Sequence, residues 1–164
     1  VARAMLRNAN AQNLTTVDIC DVNAPDAAWL KRGLAQSPRD NIKALGCEDF
    51  VQFIAQDSLS FMKQTDQRFD FIFLDGDHTA PTVYKELALA SQLLNEDGVI
   101  LLHDYYPGGQ PLFPDGSMIY GPYRAVERLR SENPAIDVQP LSQLPWPTKQ
   151  GVKATSLAMV YRKA

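Results

Sequence analysis

Apolar positions along the chain switch repeatedly between continuous runs and helical spacing, and that switching predicts strands and helices in alternation. Ala2, Met5, Leu6 and Ala9 recur at helical spacing, so a helix is expected over residues 1–10. Leu14-Thr15-Thr16-Val17 is a short β-branched run that ends at Asp18 and predicts a strand. Residues 19–25 read as a turn before a helix over 27–34, and Ser37-Pro38-Arg39-Asp40 punctuates before a brief segment at 42–45 that Gly46 stops. Residues 50–55 form the next predicted strand, closed by Gln56-Asp57-Ser58, and a short helix starts at Leu59. The strongest strand is Phe69–Leu74. Its run FDFIFL is almost continuously apolar after Asp70, as suits an inner strand of a parallel sheet covered on both faces.

A helix is predicted over 82–94, with Val83, Leu87, Ala90 and Leu94 on one stripe and Asn95-Glu96-Asp97-Gly98 ending it. Residues 99–102 are a second buried strand and run into His103-Asp104-Tyr105-Tyr106. A Pro- and Gly-rich loop over 107–122 is long enough to suggest an active-site cover. A helix over 123–131 follows, then strands over 136–141 and 156–162 that would pair as a hairpin at a sheet edge. Strand and helix alternate, so the expected class is α/β: an open, mostly parallel, Rossmann-like sheet with helices on both faces and an antiparallel C-terminal edge strand.

Bulk properties narrow the options. With 164 residues, 45% of them hydrophobic, the chain suffices for one core, and a single domain over 1–164 is expected. Sixteen basic against 19 acidic residues, a net charge of -3, offers no cationic footprint for nucleic acid or an anionic membrane. Cys20 and Cys47 are too few and too isolated for a zinc site or a disulfide framework. No apolar run reaches the ~18 residues of a membrane span, and no signal-peptide order opens the chain, so a soluble, cytoplasmic protein is expected.

In open α/β sheets, ligands bind at the carboxyl ends of the strands. Here those ends carry Asp18, Asp57, Asp75 with Asp77 and His78, and His103 with Asp104. Each carboxylate has a plain alternative as a helix cap or turn residue. Four acidic strand ends together exceed what packing requires.

The stretch FDFIFLDGDHTAPTVYKELALASQLLNEDGVILLHDYYP, residues 69–107, resembles the class I S-adenosylmethionine-dependent methyltransferases, in particular the small-molecule O-methyltransferase branch. The resemblance extends weakly to residues 14–18 and 53–58 as two further strands with acidic ends. It implies S-adenosylmethionine as cofactor and a hydroxyl of a small molecule as acceptor, with neither nucleic acid nor membrane as partner. Asp18, with Asp21 as fallback, would accept hydrogen bonds from the ribose, and Asp57 with the amide of Ser58 would meet the adenine edge. Both suit acceptor-only carboxylates facing donor groups. Asp75 is placed by the same resemblance against the cofactor, in catalysis and, with Asp104 and His103, around a Mg2+ ion. His78 stands where some sugar O-methyltransferases carry a catalytic base.

The chain departs from that family in two places. Its second strand end pairs a histidine with an aspartate, where metal-dependent relatives have adjacent oxygen ligands. None of its nine glycines forms a GxGxG, and nothing before the opening helix reads as a first strand, so either a segment before Val1 has been removed or the chain binds cofactor poorly. Two other functions are compatible with the residues. Asp75-Gly76-Asp77-His78-Thr79 matches a DxDxT nucleophile motif of haloacid dehalogenase-type phosphohydrolases, with Asp75 as nucleophile, Asp77 as general acid/base and Mg2+ between them. A catalytically inactive binding module is the other; Trp29 and Trp146 would offer a partner surface. Tyr105, Tyr106, Tyr120 and Tyr123 are candidates to line an acceptor pocket. The oligomeric state is not legible.

Overall fold

The computed structural model describes residues 13–141 and 143–163, so the helix expected over 1–10 lies outside the described residues. The chain divides into two units, residues 1–61 and 62–164. In the first, β1 (Leu14–Asp18) pairs in parallel with β2 (Val51–Ala55), Leu14 opposite Val51 and Asp18 opposite Ala55. Between them lie two short helices, α1 (Ala28–Lys31) and α2 (Pro38–Ala44). The helix expected over 27–34 shrinks to a single turn, and Leu30 and Leu34 are exposed. The chain order that starts α2 is a capping box: Ser37 Oγ accepts from Asp40 N, Asp40 Oδ2 accepts from Ser37 N, and Pro38 supplies the preset first helical residue. Gly46, at a positive φ of 64°, follows the end of that helix.

Helix α3 (Ser58–Gln64) follows β2. The second unit holds a four-stranded sheet in the order β3 (Phe69–Leu74), β4 (Leu94–Leu102), β6 (Ala158–Arg162), β5 (Ile136–Pro140). β3 and β4 are parallel; β6 is antiparallel to both β4 and β5, giving the predicted antiparallel edge. The mixed α/β class is therefore as expected. β3, however, is a terminal strand of this four-stranded sheet, and Phe71 and Phe73 on it are each 47% exposed rather than covered. The turn expected at 95–98 is also different. Pairing starts with Leu94 opposite Phe69 and resumes with Val99 opposite Phe71, so the intervening residues of β4 form an irregularity in the ladder.

The core of this unit lies between the sheet and two helices, α4 (Ala80–Leu93) and α5 (Gly121–Glu132). The predicted stripe Val83, Leu87, Ala90 and Leu94 is buried against Ile100, Leu102, Val126 and Val160. Full burial of a Leu or Val contributes about 1.5–3 kcal/mol each, so this stripe anchors α4. The two helices are also joined at their surface: the Tyr84 hydroxyl donates to Glu132 Oε2, Arg128 Nε donates to Glu132 Oε1 at 2.8 Å, and the Arg128 guanidinium lies 3.9 Å from the Tyr84 ring centre. Among the described residues, no helix is long and apolar enough to cross a membrane.

Candidate active site

The carboxyl ends of β3 and β4 bring together two histidines and two aspartates that lie 25 or more residues apart in pairs along the chain. Asp75 and His78 follow β3; His103 and Asp104 follow β4, and His103 N donates to Leu74 O at 3.0 Å, extending the parallel ladder to the site. His103 Nδ1 lies 2.9 Å from Asp75 Oδ1 and 3.3 Å from Asp104 Oδ2. His78 Nε2 lies 3.5 Å from Asp104 Oδ2 and 3.9 Å from Asp75 Oδ1. The His103 and Phe73 rings pack T-shaped, 6.3 Å between centres.

Asp104 sits at φ 54°, a left-handed backbone conformation that aspartate tolerates better than most residues. It is held there from both sides. Ser156 Oγ donates to its carboxylate at 3.2 Å, and Ser156 O accepts from the next amide, Tyr105 N, at 2.8 Å. Ser156, 7% exposed, thus supports the site and lies before β6 rather than inside the strand expected there. Sequence reasoning missed it, because a lone serine beside a strand carries no signature. Glu86 was also missed: it is 4% exposed within the apolar face of α4 and brings Oε1 close to Gly76.

The remaining acidic strand ends are occupied locally. Asp77 accepts from Thr79 N at 2.9 Å and Thr79 Oγ1 at 3.0 Å, and these bonds, led by the Thr79 backbone amide and joined by Thr82, hold its carboxyl below the usual range. In the first unit, Asp18 Oδ1 accepts from Cys20 N at 2.9 Å, Asp21 Oδ1 from Asn23 N at 2.9 Å, and Asp57 Oδ2 from Ser60 N at 2.8 Å, the last capping α3. A carboxylate has more lone pairs than one such bond uses.

Asp18 and Asp21 line a cleft of about 110 Å3 with Thr16, Cys20, Arg39 and Phe53 at the ends of β1 and β2; Asp57 and Ser58 do not line it. The Arg39 guanidinium lies 5.1 Å from the Phe53 ring centre, and Arg39 N donates to Asn23 Oδ1. Carboxylates are acceptors only, so this cleft offers partners to hydroxyl or amine donors.

Of the four tyrosines, Tyr105 and Tyr106 are buried, whereas Tyr120 is 44% exposed. Tyr105 and Tyr106 are each 4% exposed, and burial pushes both hydroxyls above the usual tyrosine range. Tyr123 packs on Tyr105 and Tyr120, and Tyr106 packs on Phe113 of the long loop. That loop is tied down: Gln150 Nε2 donates to Asp115, Asp115 N donates to Gln150 Oε1 at 3.2 Å, and Lys149 Nζ lies 3.8 Å from Asp115 Oδ2.

A family profile described as a methyltransferase domain matches residues 1–105. The chain belongs to that methyltransferase family. Solved structures agree with the assignment at the level of fold. A Klebsiella pneumoniae protein assigned as an O-methyltransferase superposes with a TM-score of 0.65 over 98% of this chain at 16% identity. The Bacillus cereus O-methyltransferase solved with S-adenosylhomocysteine gives 0.56 over 99% at 20% identity, and the TomG O-methyltransferase of Streptomyces achromogenes, involved in tomaymycin synthesis and solved with S-adenosylmethionine, gives 0.57 over 98% at 17%. This chain spans 66% of the Klebsiella protein's length, and 79% and 76% of the other two. No curated protein matches the methyltransferase chain by sequence.

The donor set around His103 does not fit Mg2+. That ion demands near-octahedral oxygen ligands, whereas two of the four groups here are imidazoles, and the buried side-chain atom among these four groups that has no hydrogen-bond partner is a nitrogen, His103 Nδ1.

Proposed function

We propose that this methyltransferase domain transfers the methyl group of S-adenosylmethionine to a hydroxyl of a small molecule, with His78 as the general base. The observation that carries the reading is the convergence of His78, His103, Asp75 and Asp104 at the ends of β3 and β4. When bound, S-adenosylmethionine supplies an electrophilic sulfonium methyl. Asp18 accepts from its ribose, with Asp21 as the fallback in the same cleft, while Asp57 and the amide of Ser58, outside that cleft, meet the adenine edge.

His78 Nε2 accepts the proton of the acceptor hydroxyl as the oxygen–methyl bond forms and the sulfur–methyl bond breaks, leaving a neutral thioether. The imidazolium so formed is stabilised by Asp104 and Asp75, whose nearer oxygens lie 3.5 and 3.9 Å from Nε2. Such base catalysis contributes roughly 10²–10⁴-fold, and alignment of the oxygen with the methyl supplies much of the rest. No step passes through Mg2+.

Calorimetric titration of the chain with S-adenosylhomocysteine tests the cofactor half of the reading. Micromolar binding supports it; no binding at millimolar concentration refutes it for this chain. Methyl transfer from labelled S-adenosylmethionine to a panel of hydroxylated phenols and sugars, with His78→Ala as control, tests the acceptor half.

A further inference from the structure

His103 Nδ1 presents an unresolved pairing. It is sealed from water and lies 2.9 Å from Asp75 Oδ1, yet the two are not aligned for a hydrogen bond with each other or with any other group. Side by side rather than head-on, a nitrogen and a carboxylate oxygen at that separation resemble neighbouring ligands of one ion. His78 Nε2 completes the set: one donor atom each from Asp75, His78 and His103 all lie within 4.8 Å of one another.

We propose that Asp75, His78 and His103 form a binding site for a borderline divalent transition ion, of the Zn2+ class, that discriminates against Mg2+. Ligand bonds of about 2.0–2.1 Å place tetrahedral neighbours roughly 3.4 Å apart. The 2.9 Å and 3.9 Å separations of Asp75 Oδ1 from the two imidazole nitrogens bracket that value. Two imidazoles and a carboxylate are a donor set that such ions prefer and Mg2+ does not. Asp104, whose Oδ2 lies 3.3 and 3.5 Å from the same two nitrogens, adds negative charge close to the ion.

The ion would use the Nε2 lone pair of His78, the same pair that accepts a proton from the acceptor hydroxyl. Ion binding and base catalysis are therefore mutually exclusive, and the ion acts as an inhibitor. The inhibitory consequence, though not the binding itself, rests on His78 being the base.

The test is calorimetric titration of the untagged chain with ZnCl2 and, separately, with MgCl2, alongside Co2+ titration followed by visible absorption. Zn2+ is expected to bind one per chain at micromolar or tighter affinity, Co2+ to develop ligand-field bands of a nitrogen-containing site, and millimolar Mg2+ to give no heat. His78→Ala and His103→Ala should each weaken Zn2+ binding at least tenfold while circular dichroism remains that of the parent. Failure of Zn2+ to bind at 100-fold excess over ~1 µM protein, equal binding of Mg2+, or Zn2+ binding untouched by both substitutions overturns the site. S-adenosylhomocysteine titration in chelator, without any ion, reports on the methyltransferase reading independently. If that reading holds, Zn2+ lowers turnover and chelator restores it; turnover that requires Zn2+ overturns the inhibitory role.

Discussion

The backbone carbonyl of His78 approaches Gly121 so closely that a Cβ at position 121 would lie 1.9 Å from it, with Ala80 N at 2.8 Å. The first residue of α5 is thus the floor under the loop that presents the base. Both neighbours are backbone atoms, so no side chain can rotate away. Gly121→Ala should cost about 1–3 kcal/mol of stability by forced displacement. It should also lower kcat more than it raises the KM for S-adenosylmethionine, because the shifted residue is His78. Urea melts and steady-state kinetics check both, and a variant of unchanged stability would contradict the packing described here.

At Asp104, backbone and side chain make separate demands. Asp104→Asn retains a residue that tolerates φ 54° but removes the charge opposite both imidazoles; methyl transfer should fall by roughly 10²-fold or more with the melting transition little changed. Asp104→Gly should be more stable than Asp104→Ala by about 1 kcal/mol, since only glycine adopts that φ without cost. Chemical denaturation of the three variants separates the two effects.

Asp57 has a similar double role. Its carboxylate caps α3 through Ser60 N, and asparagine caps as well as aspartate. Asp57→Asn should leave stability nearly unchanged but weaken S-adenosylhomocysteine binding through the loss of a charge-assisted bond of roughly 1.5–3 kcal/mol. Asp57→Ala should lose the cap in addition, about 1 kcal/mol. Equal affinity in parent and Asn variant would remove Asp57 from the adenine site.

The long loop after β4 should stay tied down well into acid. Hydrogen bonds from the side chain and backbone of Ser117, joined by Gln150 and Lys149, hold the Asp115 carboxyl down to about 2 from its ordinary 3.8. Because the folded value is the lower one, the contribution of this group is complete above 3.8 and disappears as pH falls through about 2. Carboxyl chemical shifts followed by NMR should show that midpoint. In Gln150→Ala it should move upward.

Much of the sheet was legible because its strands are short apolar runs with acidic ends; β1, β2 and β3 fall where that pattern puts them. The α4 stripe was legible for the same reason, its period matching its buried face. What the pattern could not show is partnership. FDFIFL has the composition of a covered strand, yet its pairing on one side and the exposure of Phe71 and Phe73 depend on what else is folded beside it. At the site, the strand-end rule found Asp75, His78, His103 and Asp104, whose pairing follows from β3 and β4 being adjacent and parallel. It did not distinguish them from Asp77, which looks alike in sequence but is spent on Thr79. Ser156 and Gly121 were invisible, since each acts through a single tertiary contact that leaves no periodic trace.

The irregularity between Leu94 and Val99 also bears on how this chain tolerates change. Five steps along β4 there oppose only two along β3, and the regular ladder that leads to His103 starts afresh at Val99 opposite Phe71. The surplus works as slack. Residues inserted or deleted over 95–97 would be taken up before the ladder resumes, so helix length upstream can drift without sliding the histidine out of register. Gly98 marks the limit of that freedom, because a side chain there would strike Phe69 O at 2.9 Å.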